Sequence, residues 1–406
     1  MNRSVSFIHY LRELGYSCKV LTTSAFGGCG DALRAWEPIS FYRWLFNRKV
    51  RSGILDSENR IPRGLLSTFL RKFLVPDAQV FWIPMAFILG LLYIRKQRCD
   101  LIYSSFPPAS GHLIACFLHV CTGLPWVADF RDSWIFDPLD SQLKKFKWRL
   151  DLEQFLEKKI IKNATVVITA TEESAQALRC AYPSFSGKIN VIHNGYDSDI
   201  APSRFVKLES GALILVHTGS FSYSHSERTP THLFKALHLL VEEDPIWSER
   251  ICVVLAGAMT EEEKFAAIEL IQAGMVRLEG VVDSTEVRNL QERADVLLVV
   301  DHVRPWLSTN IPGKFFEYLA MRKPILSIGG DGAVKNLLCR LNAGRHVNGQ
   351  DTAAIVGALK EFYFAGRRGI LTCKTNTSEI AQFHRGRETQ QLADYFDKAI
   401  KGLCCQ

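Results

Sequence analysis

The chain has 406 residues, 47% of them hydrophobic and 22% charged, with a formal net charge of +7. That is ordinary globular material, enough for two domains with separate cores. The charge suits an anionic substrate or an anionic membrane surface but is too weak to name nucleic acid as a partner. The 11 cysteines show no Cys-x-x-Cys and no ligand-like Cys/His spacing, and only Cys404 and Cys405 are adjacent. This argues for reduced thiols in a cytoplasmic setting and against a disulfide framework or a zinc site. Cys180, Cys252 and Cys339 lie in or beside apolar segments and are expected in the core.

In chain order, "MNRSVSFIHYLRELG" patterns as an amphipathic helix and not as a signal peptide. "SCKVLTT", Ser17 to Thr23, is a buried-type strand, and residues 24–60 show no clear period. The apolar run from Val80 to Ile94 is shorter than the ~20 residues of a spanning helix and contains Pro84. It reads as a core or interfacial helix. Strands then alternate with helices: "DLIYSS", "ASGHLIACFLHVCTG", "PWVADF", a charged helix from about Ser141 to Lys162, "TVVITA", "EESAQALRCAY" and "INVIHNG". Such alternation predicts a parallel sheet wrapped on both faces. A polar segment, Asp199 to Gly211, separates the halves.

The second half repeats the pattern with "ALILVHTG", "ICVVLAG", "MVRLEGVV", "DVLLVVD", "PILSIGG" and "RHVN", each leading into a helix. Thr229 is placed as the N-cap and Pro230 as the first residue of the first of these helices. The expected fold is α/β, with doubly wound domains at 1–200 and 201–385 and a separate final helix in 386–406. A doubly wound domain opens on a strand and a turn, whereas this sequence opens on a helix. The first strand and its loop are therefore expected to be missing from the first domain.

In open α/β sheets ligands bind beyond the carboxyl ends of the strands. "HTGS", His217 to Ser220, lies at such an end. Gly219 permits close backbone approach, and Arg228 stands just before a helix. Free N–H groups and a guanidinium suit a phosphate, although an ordinary turn with a surface arginine has the same pattern. In "STNIPGKFFEYLA", Gly313 leaves room at a helix amino end, where the dipole favours an anion. Lys314 adds charge, and Glu317 has the acceptors that two vicinal hydroxyls require. The alternative is an i,i+3 surface pair between Lys314 and Glu317. The glycines "GGDG", Gly329 to Gly332, suggest a second open edge beside this one. In the first half, Asp129, Arg131 and Asp132 cluster at a strand tip, either as a structural pair or as carboxylates that orient or deprotonate an acceptor hydroxyl. His112, on an apolar helix, is expected to be a core histidine. "DSD", Asp197 to Asp199, has the look of a metal triplet but lies at the linker. The helix with Lys144, Lys145, Lys147, Arg149, Trp148 and Phe155 reads as a solvated face or as a contact for anionic lipid headgroups.

As a set, "SSFPPASGHLIA", "PWVADFRDSW", "VIHNGYD", "VHTGSF" and "IPGKFFEYLAMRKPIL" resemble bacterial family 4 glycosyltransferases, over nearly the whole chain. That resemblance implies a GT-B fold: two Rossmann-like domains facing a cleft, with the final helix crossing back to the first. It implies transfer of a sugar from a nucleotide-sugar donor to a hydroxyl of a lipid-linked saccharide, as in lipopolysaccharide, capsule or exopolysaccharide synthesis. Glu317 would hold the ribose, Arg228, Lys314 and the backbone around Gly219 and Gly313 the diphosphate, and Asp129 to Asp132 would face sugar and acceptor. Retention of configuration, no bound metal and a place on the inner face of the membrane are further implications. Two departures stand out: Thr309 occupies the position of a second family glutamate, and the family's glycine-rich loop after the first strand is absent. An inactive nucleotide-binding protein and a nucleotide-sugar epimerase of related fold remain alternatives.

Overall fold

The computed structural model describes residues 3–24, 31–37, 73–138, 146–202, 205–206, 208, 211–223, 225 and 227–402. The chain divides into two units, Met1–Ile192 with Thr389–Gln406, and His193–Glu388. Lys144, Lys145 and the Cys404–Cys405 pair lie outside the described residues, as do 25–30 and 38–60 of the stretch without a period.

In the first unit, α1 (Arg3–Glu13) buries Phe7 and Leu11, one turn apart on one face. It leads to β1 (Val20–Thr23), which pairs in parallel with β2 (Ala32–Ala35). The β2 strand falls in the stretch read as irregular, because four residues with a central arginine carry too little alternation to stand out. A single 3-10 turn, Val80–Trp82, precedes α2 (Ile83–Gln97), where Pro84 takes a first-turn position that needs no N–H donor. Only Ala86 and Gly90 of α2 are fully buried, while Met85, Ile88 and Leu92 are exposed. Among the described residues Val80–Gln97 is long and apolar enough to cross a membrane by length and composition.

The unit continues with β3 (Ile102–Phe106), α3 (Ala109–Thr122), β4 (Trp126–Phe130), α4 (Lys147–Asn163), β5 (Val166–Thr169), α5 (Glu172–Ala181) and β6 (Ile189–Val191). The α4 helix starts at Lys147 and not near Ser141: Phe146 is extended, with φ −98° and ψ 95°. The strands form a parallel sheet in the order β3-β4-β5-β6, with β1-β2 as a separate pair. Among the described residues the single sheet expected from the sequence is thus in two parts. Cys180 and Cys339 are exposed and only Cys252 of the three is buried, because the first two fall on the solvent sides of amphipathic helices.

The second unit holds β7 (Leu213–Thr218), α6 (Thr231–Glu243), β8 (Ile251–Ala256), α7 (Glu261–Ala266), β9 (Val276–Gly280), α8 (Ser284–Arg293), β10 (Val296–Val300), α9 (Gly313–Met321), β11 (Ile325–Gly329), α10 (Ala333–Leu341), β12 (Gly344–Asn348) and α11 (Thr352–Arg367). All six strands are parallel, in the order β12-β11-β10-β7-β8-β9. Helices cover both faces, so β10 is buried throughout and reads as the unbroken run "VLLVV". From β7 the chain steps outward through β8 and β9, then returns to β10 and steps the other way. The reversal falls between β7 and β10, where this architecture opens a crevice. Pro230 is the N-cap of α6 and Thr231 its first residue, one position later than the sequence suggested.

The last helix, α12 (Arg385–Ile400), begins in the second unit and ends in the first. There Leu392, Ala393, Phe396 and Ala399 pack with Phe7, Leu11, Val127, Val166 and Ile168. The Tyr16 hydroxyl donates to Asp397 at 2.5 Å, and burial together with that carboxylate pushes its pKa up to about 12. The Phe396→Ala substitution is expected to destabilise the first unit by about 3–5 kcal/mol, read from urea unfolding; a loss below about 1 kcal/mol would show that α12 is not part of its core.

Candidate functional site

The sequence of α9 divides its faces. Phe315, Phe316, Tyr318 and Leu319 are completely buried, each stabilising the packing by roughly 1.5–3 kcal/mol. That leaves Gly313, Lys314 and Glu317 on the open side. Tyr318 fixes the helix's amino end to the end of β7: its hydroxyl accepts from the Thr218 N–H at 2.9 Å and lies 3.0 Å from Thr218 Oγ1. Gln291 Nε2 donates to the same Oγ1 at 3.2 Å.

So placed, Lys314 Nζ lies 3.0 Å from His217 Nε2. His217 Nδ1 is 2.8 Å from the Leu298 carbonyl, which can only accept. The Nδ1 atom therefore carries the proton, and Nε2 offers its lone pair to the ammonium. Burial, reinforced by the Lys314 charge, holds the His217 pKa well below the usual histidine value. Burial and then the Arg228 charge lower Lys314 to about 7. Gly219, at φ +107°, passes so close that a Cβ there would sit 2.9 Å from Lys314 Nζ. The positive φ is what favours glycine there, since the lysine's end could move aside.

Arg228 is turned onto Asp301, with Nε at 3.2 Å and Nη2 at 2.9 Å from Oδ1. The His302 N–H donates to the same oxygen at 2.9 Å. Burial works to raise the Asp301 pKa, but Arg228 and His302 outweigh it and keep the carboxylate ionised. The loop bearing Ser220 and Arg228 is braced from α7. Glu263 accepts from the Ser222 N–H at 3.1 Å and from the Thr260 N–H at 2.9 Å, and Ser222 Oγ reaches the Arg228 carbonyl at 3.3 Å.

The remaining predicted groups are less engaged. Glu317 is half-buried and accepts no hydrogen bond among the described residues, and the Lys314–Glu317 surface pair is not formed. A Cβ at Gly313 would meet nothing within 4 Å. Phe315 N–H reaches back to the Pro312 carbonyl, leaving the N–H groups of Gly313 and Lys314 without partners inside the helix. The second open edge is absent, however. A Cβ on Gly332 would lie 2.1 Å from the Ser308 carbonyl, and the Gly330 N–H donates to His302 O. These glycines let the 302–308 loop pack closely and do not leave space for a ligand.

In the first unit Asp129 is not available as a catalytic carboxylate. It is completely buried, accepts from Arg3 Nε and Nη2 at 3.1 Å each, and accepts from the Tyr103 hydroxyl at 2.6 Å. The structural pair is real, but its cation comes from α1 and not from Arg131. Arg131 lies 3.3 Å from Asp132, both a quarter exposed. Burial, partly offset by Arg131, raises the Asp132 pKa. His112 is a core residue bonded to Ser104 at 2.8 Å, and burial lowers its pKa to about 3. Asp197 of the linker triplet pairs with Arg385. Among the described residues no cluster of three or more His, Cys, Asp or Glu could hold a metal ion.

Gly219, Ser220, Arg228, Gly313, Lys314 and Glu317 thus all belong to the second unit, at or beside the carboxyl ends of β7 and β10. His217, Tyr318, Glu263 and Asp301 were not singled out from the sequence. Thr260-x-x-Glu263 has capping-box spacing, and Asp301 is the first charge after a buried strand; both were legible signals.

Residues 3–195 match the family described as Glycosyl transferase 4-like domain. No curated protein matches the sequence. Among solved structures the chain is similar to a sucrose-phosphate synthase from Thermosynechococcus elongatus, with TM-score 0.65, 14% identity, and 98% of this chain and 92% of that one covered. It is similar also to a glycosyltransferase from Rickettsia africae, with TM-score 0.57, 15% identity and 98% and 94% covered. A third is Anabaena HepE in complex with UDP, with TM-score 0.57, 15% identity and 94% and 99% covered. At these identities the neighbours establish the GT-B architecture. The domain match and the glycosyltransferase neighbours together support a glycosyltransferase.

Two measurements check the site's electrostatics. The Asp129→Ala substitution strands a buried Arg3 and is expected to cost about 3–5 kcal/mol in urea unfolding, whereas Asp132→Asn changes stability by less than about 1 kcal/mol. Lys314 has a folded pKa near 7 against an ordinary 10.5, so between those values the unfolded chain binds more protons. Its contribution to stability therefore grows as pH rises through that window. Affinity for inorganic pyrophosphate, which needs the ammonium, is expected to fall over the same range. Lys314→Met should abolish both slopes in parallel unfolding and calorimetric titrations.

Proposed function

We propose that the chain transfers a sugar from a nucleotide-sugar donor to a hydroxyl of a lipid-linked saccharide, with retention of configuration and without a metal ion. The observation that carries this reading is the open amino end of α9 beside Lys314, at the reversal of a doubly wound sheet. Support for the donor class comes from HepE, solved with UDP and with UDP-glucose.

The donor diphosphate is assigned to the N–H groups of Gly313 and Lys314, the Lys314 ammonium, the backbone at Gly219 and Ser220, and Arg228. Glu317, uncommitted in the structure, accepts from the two ribose hydroxyls. As the bond from the anomeric carbon to the diphosphate oxygen breaks, charge accumulates on that leaving group, and these donors stabilise it most at that moment. The bond from the acceptor oxygen to the anomeric carbon forms on the face the diphosphate leaves, and the hydroxyl proton passes to the departing phosphate. In the first unit Asp132, steadied by Arg131, is the carboxylate that orients the acceptor hydroxyl. Work on lipid-linked polysaccharide precursors at the inner face of the membrane suits the exposed apolar residues of α2 and the exposed Trp148 and Phe155 of α4.

Glu317→Ala is expected to weaken UDP binding by about 1.5–3 kcal/mol, roughly ten- to a hundredfold, in a calorimetric titration. Unchanged affinity would remove Glu317 from the site. With UDP-glucose and a lipid-linked acceptor extract, transfer should persist in EDTA. UDP binding with no transfer would favour the inactive binding protein, and donor conversion without acceptor the epimerase.

A further inference from the structure

The face of β7 that buries Leu213 and Leu215 continues, two residues on, to His217, which is also completely buried. A polar ring at an apolar position costs free energy unless its nitrogens are engaged. Both are engaged, and so is the flat of the ring. Nδ1 meets the Leu298 carbonyl at 2.8 Å, and Nε2 meets Lys314 Nζ at 3.0 Å. Phe221 stacks on the ring, with centroids 4.4 Å apart and planes 15° from parallel.

These contacts reach three different elements. Leu298 lies in β10, Lys314 in the first turn of α9, and Phe221 in the segment that follows β7. The backbone of that segment is tied on either side of Phe221. The Gly219 N–H donates to Ala256 O at 2.6 Å, and the Ser222 N–H to Glu263 at 3.1 Å. Phe221 is itself buried, so its stacking adds a side-chain anchor to β7 between those two ties.

Among the described residues His217 is the hydrogen-bond partner of the Lys314 ammonium. The charges that also bear on the ammonium are Arg228, Asp301 and Glu317. His217 in turn faces Lys314, Arg228 and the backbone of Leu298 and Gly219. Asp301 is taken by Arg228, and among the described residues no hydrogen bond joins Glu317 to the lysine. Neither carboxylate therefore sets where Nζ sits; the imidazole lone pair does.

We propose that His217 is a positioning residue that registers the Lys314 ammonium with the Gly219–Ser222 backbone, holding the first by its Nε2 lone pair and the second by stacking on Phe221. Two neighbouring sources of positive charge, a side chain and a run of backbone, are thereby set at a fixed separation from one ring. A diphosphate on these groups would meet donors that need no rearrangement. That last consequence rests on the proposed function, whereas the registration itself does not.

The two handles can be removed separately. His217→Phe keeps a flat ring for Phe221 and loses the lone pair. His217→Gln keeps an acceptor oxygen at about the reach of Nε2 and loses the ring. In the ligand-free chain, the titration of Lys314 is followed by competitive acetylation with mass-spectrometric readout, and amide exchange is followed over Gly219–Ser222. In the Phe variant the Lys314 midpoint is expected to fall by about one unit, because an ammonium loses its acceptor, with exchange changed by less than about twofold. In the Gln variant the midpoint should stay within about half a unit, and exchange should quicken by about tenfold or more.

A midpoint that stays put or rises in the Phe variant overturns the proposal, since the ring would then act only by excluding water. Both readouts moving together in both variants also overturns it, as the mark of a simple core filler. The Gln variant decides alone if the Phe variant does not fold: unchanged exchange, or a midpoint that falls as far as about one unit, refutes the registration. Inorganic pyrophosphate at pH 7 should bind the Phe variant about fivefold more weakly, the loss of charged lysine when its midpoint falls one unit from about 7. Failure of the unaltered chain to bind either pyrophosphate or UDP would overturn the proposed function instead, and the ligand-free titration would still judge His217.

Discussion

Tyr318 holds the amino end of α9 against the carboxyl end of β7, and the candidate site in the second unit follows from that attachment. Two hydrogen-bond contacts to Thr218 fix the helix, and the buried phenylalanines beside Tyr318 leave it no freedom to roll. The residues on its outer side then have nowhere to point but the crevice. Lys314 meets His217, Glu317 stays unpartnered, and the free N–H groups of the first turn stay open. A local choice of aromatic residues on one helix face thus becomes an arrangement of charge.

Around that helix the second unit keeps its ions in fixed directions. Arg228 and Asp301 are both nearly buried, a setting in which the cost of removing charges from water offsets much of their attraction. The pair is therefore better understood as aiming the guanidinium than as adding stability. Glu263 plays the matching part for the loop, taking backbone and hydroxyl donors that would otherwise be unsatisfied. In the first unit the same logic assigns Asp129 to structure: three donors converge on a carboxylate with no exposed surface, whereas Asp132 keeps a face to solvent.

Much of this was legible in the sequence because parallel strands covered on both faces appear as unbroken apolar runs. Strands β8 and β10 of the second unit and β5 of the first announced themselves that way, whereas β9 and β12 carry an arginine and are partly exposed, and were marked instead by their place between helices. The strand β2 did not stand out, being short and only half-buried. The positions around Gly219, Gly313, Lys314 and Glu317 were legible from glycine and charge at strand and helix ends. Side-chain partners were not. Nothing in "ADFRDSW" says that the cation for Asp129 arrives from Arg3, 126 positions away. Nor does "GGDG" reveal whether its glycines leave space or allow a neighbouring loop to fill it. Contacts of that range depend on how the layers stack, which periodicity does not encode.

The lysine beside His217 has one more implication. Its proton is loosely held while the crevice is empty, so near neutrality the positive charge is only partly present. An anion brought against Lys314 favours its protonated form, and the more so the greater the anion's charge, so the lysine's charge depends on what lies beside it.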